Sequence, residues 1–325
     1  MTFETKMNDY AHNNIPFIFI LSYDMKESII IPLDQAKAHN ILYKVNEKTN
    51  YPVQPGDQKT GKKQKVITKM TPVSFDDYKI AFDTLHKEFV NGNTFLTNLT
   101  CKTKIESELT IQEIFTHAKA PYKLLVDDTF VLFSPETFIK TDNGYMYTYP
   151  MKGTIEADIP DAAKILENDE KEFAEHITVV DLLRNDLGIV SDRVEVTRFR
   201  YIVPVFNPGK PLLQTVSEIK GKISESYINR PGSLIAKLLP AGSITGAPKK
   251  KTVEIISRIE NYTRGFYTGV FGIWENGVID SAVMIRFIEA EGSDLYYKSG
   301  GGITVYSNAE SEYKELLHKI YVPVY

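Results

Sequence analysis

Two Asn-Gly pairs, at 143–144 and 276–277, each lie between runs rich in β-branched and aromatic residues. Asn-Gly supplies the two positive-φ residues of a tight hairpin loop, and it is the strongest short-range hairpin signal. Hairpins join antiparallel neighbours, whereas strand-helix-strand units build parallel sheets. The chain therefore reads as α+β, with antiparallel sheets flanked by helices. Short strands are also expected in IPFIFIL and SIIIPL near the start and in TFLTNLTCKT (94–103). A helix is predicted over 74–91, where Phe75, Tyr78, Phe82, Leu85 and Phe89 recur every three or four residues. A second is predicted over 169–187, with Phe173, Ile177, Val180, Leu183 and Leu187 on its buried stripe and Gly188 as its C-terminal cap.

The hairpins also predict register. Counting outward from Asp142 and Tyr145 puts Glu136 opposite Met151 and beside Lys152, and a bulge near Pro135 would bring Glu136 and Lys152 onto one face. A carboxyl and an amine so placed are a candidate acid and nucleophile; a cross-strand ion pair is the plainer reading. Counting outward from Glu275 and Val278 puts Tyr267 opposite Arg286. That pair can donate to a carboxylate, or it can be ordinary stacking of Arg on an aromatic ring.

Glu172 and Glu175 stand three apart on one helix, and Glu312 and Glu315 three apart on another that starts at Ser307-Asn308. Facing each other, the four carboxylates suit a hard divalent cation such as Mg²⁺. Plainer alternatives are a helix cap joining Asp169 to Glu172 and an ion pair of Glu315 with Lys319. In PAGSITGAPKKKTVEIISRIE (240–260), Pro248 suits the first position of a helix with Val253, Ile256 and Ile259 on its buried stripe. This is no phosphate-binding P-loop, because Gly246 is followed by Ala-Pro-Lys rather than Lys and then Ser or Thr. The glycines of SGGGIT (299–304) either admit a ligand to the backbone or mark a bulge. His86, His176 and His318 read as packing or surface residues.

Composition narrows the function classes. Among 325 residues, 38 Lys and Arg face 42 Asp and Glu, so no global basic field exists and nucleic acid is not an expected partner. The Lys-dense stretch 56–69 reads as a solvated loop. No apolar run has the length of a membrane span and no export signal is evident. A lone cysteine, Cys101, forms no intramolecular disulfide, which fits a reducing, cytoplasmic compartment.

Nine segments, taken in order, resemble the chorismate-utilising enzymes. They are GNTFLTNLT, FSPETF, YPMKGT, KEFAEHITVVDLLRNDLG, LLQTVSEIKG, LLPAGSITGAPKKKTVEIISRIE, FYTGVFG, DSAVMIR and SGGGITVYSNAESEYKELLHK. The resemblance spans roughly residues 75–323. It implies one domain over 1–325 in which two antiparallel sheets enclose the site, with 1–73 a shortened N-terminal portion. It also implies roles. Glu136 would be the general acid/base, and Glu172, Glu175, Glu312 and Glu315 the Mg²⁺ site. Tyr267, Arg286, Gly301, Gly302, Lys319, Gln214 and Thr245 would contact substrate.

Within the family, the segment holding Lys152 is the discriminating one. Pro-Met-Lys-Gly-Thr resembles the aminodeoxychorismate synthase component I branch, whereas similar anthranilate, isochorismate and salicylate synthases generally carry Ala at that position. The resemblance implies that Lys152 attacks C2 of chorismate and that ammonia then displaces it by attack at C4, a step toward p-aminobenzoate and folate. Such a lysine is expected to have a pKa lowered by burial or a nearby metal. Leu96 stands where water-activating relatives carry Lys, and Gln214 where many carry His, which leaves more of the acid/base work to Glu136. The length leaves no room for a glutaminase, so a separate glutamine amidotransferase subunit is expected to supply ammonia. Anthranilate synthase component I is the nearest alternative, and a non-catalytic chorismate-binding protein a more distant one.

Overall fold

The computed structural model of the chain describes residues 1–52, 66–205 and 211–324. The Lys-dense segment falls mostly outside these, although Ile67–Thr71 is a strand rather than loop.

Two antiparallel sheets form the framework. The first runs in the order Met151–Glu156, Leu212–Ile223, Tyr145–Thr148, Thr137–Asp142, Val278–Val283, Val270–Glu275, Phe17–Leu21, Ser28–Pro32, with Ser191–Val205 added along Leu212–Ile223. The second runs Gly246–Ala247, Leu96–Ser107, Asp294–Ile303, Phe287–Glu291, Phe130–Ser134, Tyr122–Val126, Ile41–Val45, Lys48–Thr49, with Ile67–Thr71 along Leu96–Ser107. The strand Phe17–Leu21 shows why the sheets stack. All five side chains are buried. Phe17, Phe19 and Leu21 pack toward Val180, Leu183 and Leu187 of the helix Glu170–Gly188. Ile18 and Ile20 turn to the other face, against Leu124, Leu132 and Phe287 of the second sheet. An unbroken apolar run thus serves two layers at once. The helices Ile111–His117, Phe75–Val90, Lys249–Ile259 and Ala309–His318 cover the second sheet from outside. The α+β sandwich expected from the sequence is the architecture found.

Both Asn-Gly turns close hairpins in the expected register, from Asp142 opposite Tyr145 to Lys140 opposite Tyr147, and from Glu275 opposite Val278 to Val270 opposite Val283. Neither ladder reaches the residues for which it was extrapolated. After Tyr147 the chain follows Leu212–Ile223 instead, with Thr148 opposite Ile219 and Met151 opposite Val216. Meanwhile Thr137 pairs with Ala282. Glu136 therefore does not face Met151. Pro150 carries no N–H to continue a ladder, and its carbonyl accepts from Ser217 N at 3.0 Å as the chain crosses it. Tyr267 and Arg286 lie just past the end of the second ladder.

Local predictions fared unevenly. The first long helix spans Phe75–Val90 with a Ser74 cap, as the periodicity requires. The second ends at Gly188 with Ile189 as its C-terminal cap residue, and Phe173 and Ile177 are 41% and 42% exposed rather than buried. Pro248 caps the helix Lys249–Ile259 instead of opening it, and Thr252, Ile255 and Ile256 form its buried face. The triple glycine is no bulge: Gly300, Gly301 and Gly302 pair regularly with Thr100, Leu99 and Asn98. Among the described residues, no helix is long and apolar enough to cross a membrane.

Candidate active site

Lys152 reaches the site because its strand bulges. The register of Met151–Glu156 against Leu212–Ile223 shifts between Lys152 and Thr154, and Gly153 between them has φ +82°. A Cβ there would lie 3.2–3.3 Å from Leu166 Cδ1, Glu172 Oε2 and Thr215 Oγ1, so the bare backbone lets helix and strand approach. Lys152 Nζ donates to Glu175 Oε2 at 2.5 Å, and its own carbonyl accepts from Thr215 Oγ1.

The two helices deliver their carboxylates to this amine. Glu172 and Glu175 come from Glu170–Gly188, Glu312 and Glu315 from Ala309–His318. Burial pushes the Lys152 ammonium down, but Glu175, Glu315 and Glu172 outweigh it and hold the pKa above its ordinary value. The lowered pKa expected from the sequence is not found in this arrangement: the lysine is the counter-ion of the carboxylates. Burial and the neighbouring Glu175 raise Glu172, and burial with Glu315 raises Glu312 against a hydrogen bond from Ser307. Glu315 is lowered, because Lys319 and Lys152 overcome the effect of burial. Asp169 also caps its helix by accepting from Glu172 N at 2.9 Å, so the plainer cap reading coexists with the cluster.

Four carboxylates, two of them with raised pKa values, form a hard, charge-rich set that fits a divalent cation. As placed, however, Glu175 pairs with Lys152, Glu315 with Lys319, and Glu312 with the Ser307 hydroxyl. Among the described residues, no three His, Cys, Asp or Glu groups gather closely enough to hold a metal.

Lys319 links this cluster to Glu136. Its Nζ lies 2.7 Å from Glu315 Oε1 and donates to Gly300 O at 3.0 Å. Burial, with Arg286 and Lys152, lowers its pKa despite Glu315. Half-buried Glu136 is raised by burial, against the opposing pull of the Ser243 hydroxyl, Arg286 and Lys319. Lys319 thus lies within electrostatic range of both Glu136 and Lys152, a proximity that does not come from the hairpin. Gly301 faces the same group: a Cβ on it would lie 3.6 Å from both Glu312 Oε2 and Lys319 Nζ. Gly302 instead faces Leu96 Cδ1 at 3.3 Å.

Tyr267 and Arg286 are close enough to influence each other's ionisation; Tyr267 is buried and Arg286 half-buried. The guanidinium also lies over the Tyr321 ring at 5.3 Å, and its Nε has no partner. Two expected contacts stand apart. The Gln214 amide meets Thr154 Oγ1 at 3.5 Å, on the strand face opposite Thr215. The Thr245 hydroxyl faces Tyr23 in the interior. Sequence reasoning overlooked Ser243, whose hydroxyl meets Glu136, Asp186, which accepts from the Gly242 N–H, and Thr215, which donates to the Lys152 carbonyl. The Gly-Ser pair in PAGSITG was the available signal, but nothing local names its partner. His176 is fully buried against Ser217 Oγ at 2.6 Å, a packing histidine whose pKa is lowered to about 4, chiefly by burial.

An uncharacterized PabA-like protein of Haemophilus influenzae is 42% identical over 99% of this chain and 96% of its own length. Aminodeoxychorismate synthase component 1 of Salmonella typhimurium is 35% identical over 62% of this chain and 46% of that protein. Anthranilate synthase component 1 of Acetivibrio thermocellus is 36% identical over 57% and 38%. Among solved structures, a putative 2,3-dihydroxybenzoate-specific isochorismate synthase from Bacillus anthracis superposes with TM-score 0.71 at 19% identity, covering 97% of this chain and 85% of that one. Anthranilate synthase component I from Streptococcus pneumoniae superposes with TM-score 0.70 at 20% identity, covering 94% and 79%. At such identities these two speak for the fold. The family model described as chorismate binding enzyme matches residues 9–324, and with that match nearly end to end, the chain belongs to the chorismate binding enzyme family.

Proposed function

We propose that this chain converts chorismate and ammonia to 4-amino-4-deoxychorismate through an adduct on Lys152. The observation that carries the reading is the seat of Lys152 Nζ among Glu172, Glu175 and Glu315, with Lys319 joining it to Glu136. In a reaction that only adds water or eliminates pyruvate, no step would use such an amine as a nucleophile.

The uncharged amine would form a bond to C2, both ring double bonds would shift (C1=C2 to C1=C6 and C5=C6 to C4=C5), and the C4–O bond would break. Glu136, whose burial favours the protonated form, would give a proton to the departing oxygen, so that water leaves. Ammonia would then bond to C4, both double bonds would return to C1=C2 and C5=C6, and the C2–N bond would break to release Lys152. Arg286 and Lys319 would hold the substrate's carboxylates, with Tyr267 donating beside them. Glu172, Glu175, Glu312 and Glu315 would hold Mg²⁺, which supplies neutralising charge that leaves the Lys152 amine under burial alone. Ammonia would come from a separate glutamine amidotransferase subunit.

The comparison values for aminodeoxychorismate and anthranilate synthases, 35% and 36%, do not choose between these products. Product identification does: purified chain, chorismate, Mg²⁺ and an ammonium salt at mildly alkaline pH should give 4-amino-4-deoxychorismate by mass and retention. Anthranilate or isochorismate as the main product would overturn the reading.

A further inference from the structure

Asp186 sits at the C-terminal end of the helix Glu170–Gly188, buried, and outside the carboxylate cluster. One carboxylate oxygen pairs with Lys249 Nζ at 2.8 Å, and Lys249 also donates to Leu238 O at 2.9 Å. The carboxylate further accepts from the N–H of Gly242. The fit is close: a Cβ on residue 242 would lie 2.5 Å from Asp186 Oδ2, so only glycine can sit there without displacing it. The next residue is Ser243, whose hydroxyl meets the carboxyl of Glu136. A narrow cavity of about 10 Å³, room for roughly one water, lies between these groups and is lined by Thr137, Thr148, Asp186 and Ser243. Phe138, Ile139, Leu183, Leu187 and Leu238 complete the lining, and the backbone turn that presents the Ser243 hydroxyl rests on Asp186.

We infer that Asp186 is a positioning residue for the acid: through the Gly242 N–H it fixes the turn that aims the Ser243 hydroxyl at Glu136. The inference rests on the reading of Glu136 as general acid. The charged groups facing Glu136 are Arg286 and Lys319, and the one facing Asp186 is Lys249. None of them is altered by Ser243→Ala or Asp186→Asn, so those substitutions isolate the hydroxyl and its support.

The test is an infrared titration of full-length protein carrying ¹³C-labelled glutamate, with Glu136 identified by the band lost in Glu136→Gln. It needs no turnover, so it stays readable even if the proposed product is not formed, an outcome that would count against the function and not against this coupling. Losing a donor to the ionised carboxyl should raise its midpoint. Ser243→Ala should therefore raise it, Ser243→Thr should restore it, and Asp186→Asn should raise it without adding to Ser243→Ala in the double variant. In turnover, Asp186→Asn should lower kcat about tenfold, a part of what a general acid contributes, with KM for chorismate little changed. If Asp186→Asn does not fold, Asp186→Asn with Lys249→Met, which strands no buried charge, is read in the same way. A wild-type midpoint, a fall in midpoint, or a shift that persists in the Ser243→Ala background would overturn the inference.

Discussion

Lys152 Nζ and Glu175 Oε2 lie 2.5 Å apart, joining a bulged strand to the helix that carries half of the carboxylate cluster. The pair makes Lys152 a counter-ion before it is anything else. Its folded pKa is raised, so the pair favours the ammonium and weakens only as pH rises toward and beyond the ordinary lysine range.

Removing that partner should free the amine. In Glu175→Gln, without divalent cation, reductive methylation of Lys152 at pH 8 should run several-fold faster than in wild type, read by peptide mass spectrometry. Adding Mg²⁺ to wild type should have the same sign of effect if the carboxylates bind it. An unchanged methylation rate in both cases would show that the carboxylates do not control the amine.

Gly153 and Gly301 should respond oppositely to alanine. Gly153 combines φ +82° with neighbours at 3.2–3.3 Å, so Gly153→Ala should cost about 1–3 kcal/mol in denaturant unfolding. Gly301 has room for a Cβ at 3.6 Å, so Gly301→Ala should leave stability nearly unchanged. It should nonetheless raise KM for chorismate, because the methyl enters the space between Glu312 and Lys319.

Cys101 should be inert. Burial, with Glu260 nearby, pushes its thiol up to about 12. At pH 8 the thiolate fraction is then roughly a thousandfold below that of an exposed cysteine, and iodoacetamide labelling should be slow until denaturant is added. Rapid labelling of the native protein would contradict this placement.

Phe19 tests the layer argument. It is fully buried on the helix-facing side of a strand that serves both layers. Phe19→Ala should destabilise the fold by about 3–5 kcal/mol in urea unfolding.

Legibility in the sequence followed locality. The Phe75–Val90 helix and both hairpin registers depend on residues close in the chain, and the periodicity or turn chemistry of those residues was sufficient. The place of Lys152 was not readable from its hairpin, because Pro150 breaks the ladder and the next partner, Val216, is far along the chain. Phe173 and Ile177 matched a buried stripe, yet at this end of the helix Phe173 packs edge-on against Phe199 and remains half exposed. The four glutamates were recognised by spacing and resemblance, but the spacing says nothing of the lysine they surround. Ser243 and Asp186 were missed because each acquires meaning only from a partner on another element.

The most direct measurement compares wild type with Lys152→Ala, supplied with chorismate, Mg²⁺ and an ammonium salt, following product by mass and chorismate binding by calorimetry. The account predicts that 4-amino-4-deoxychorismate formation falls by at least about a thousandfold, as expected on loss of a nucleophile, while chorismate still binds. Formation of that product by Lys152→Ala at the wild-type rate would contradict it.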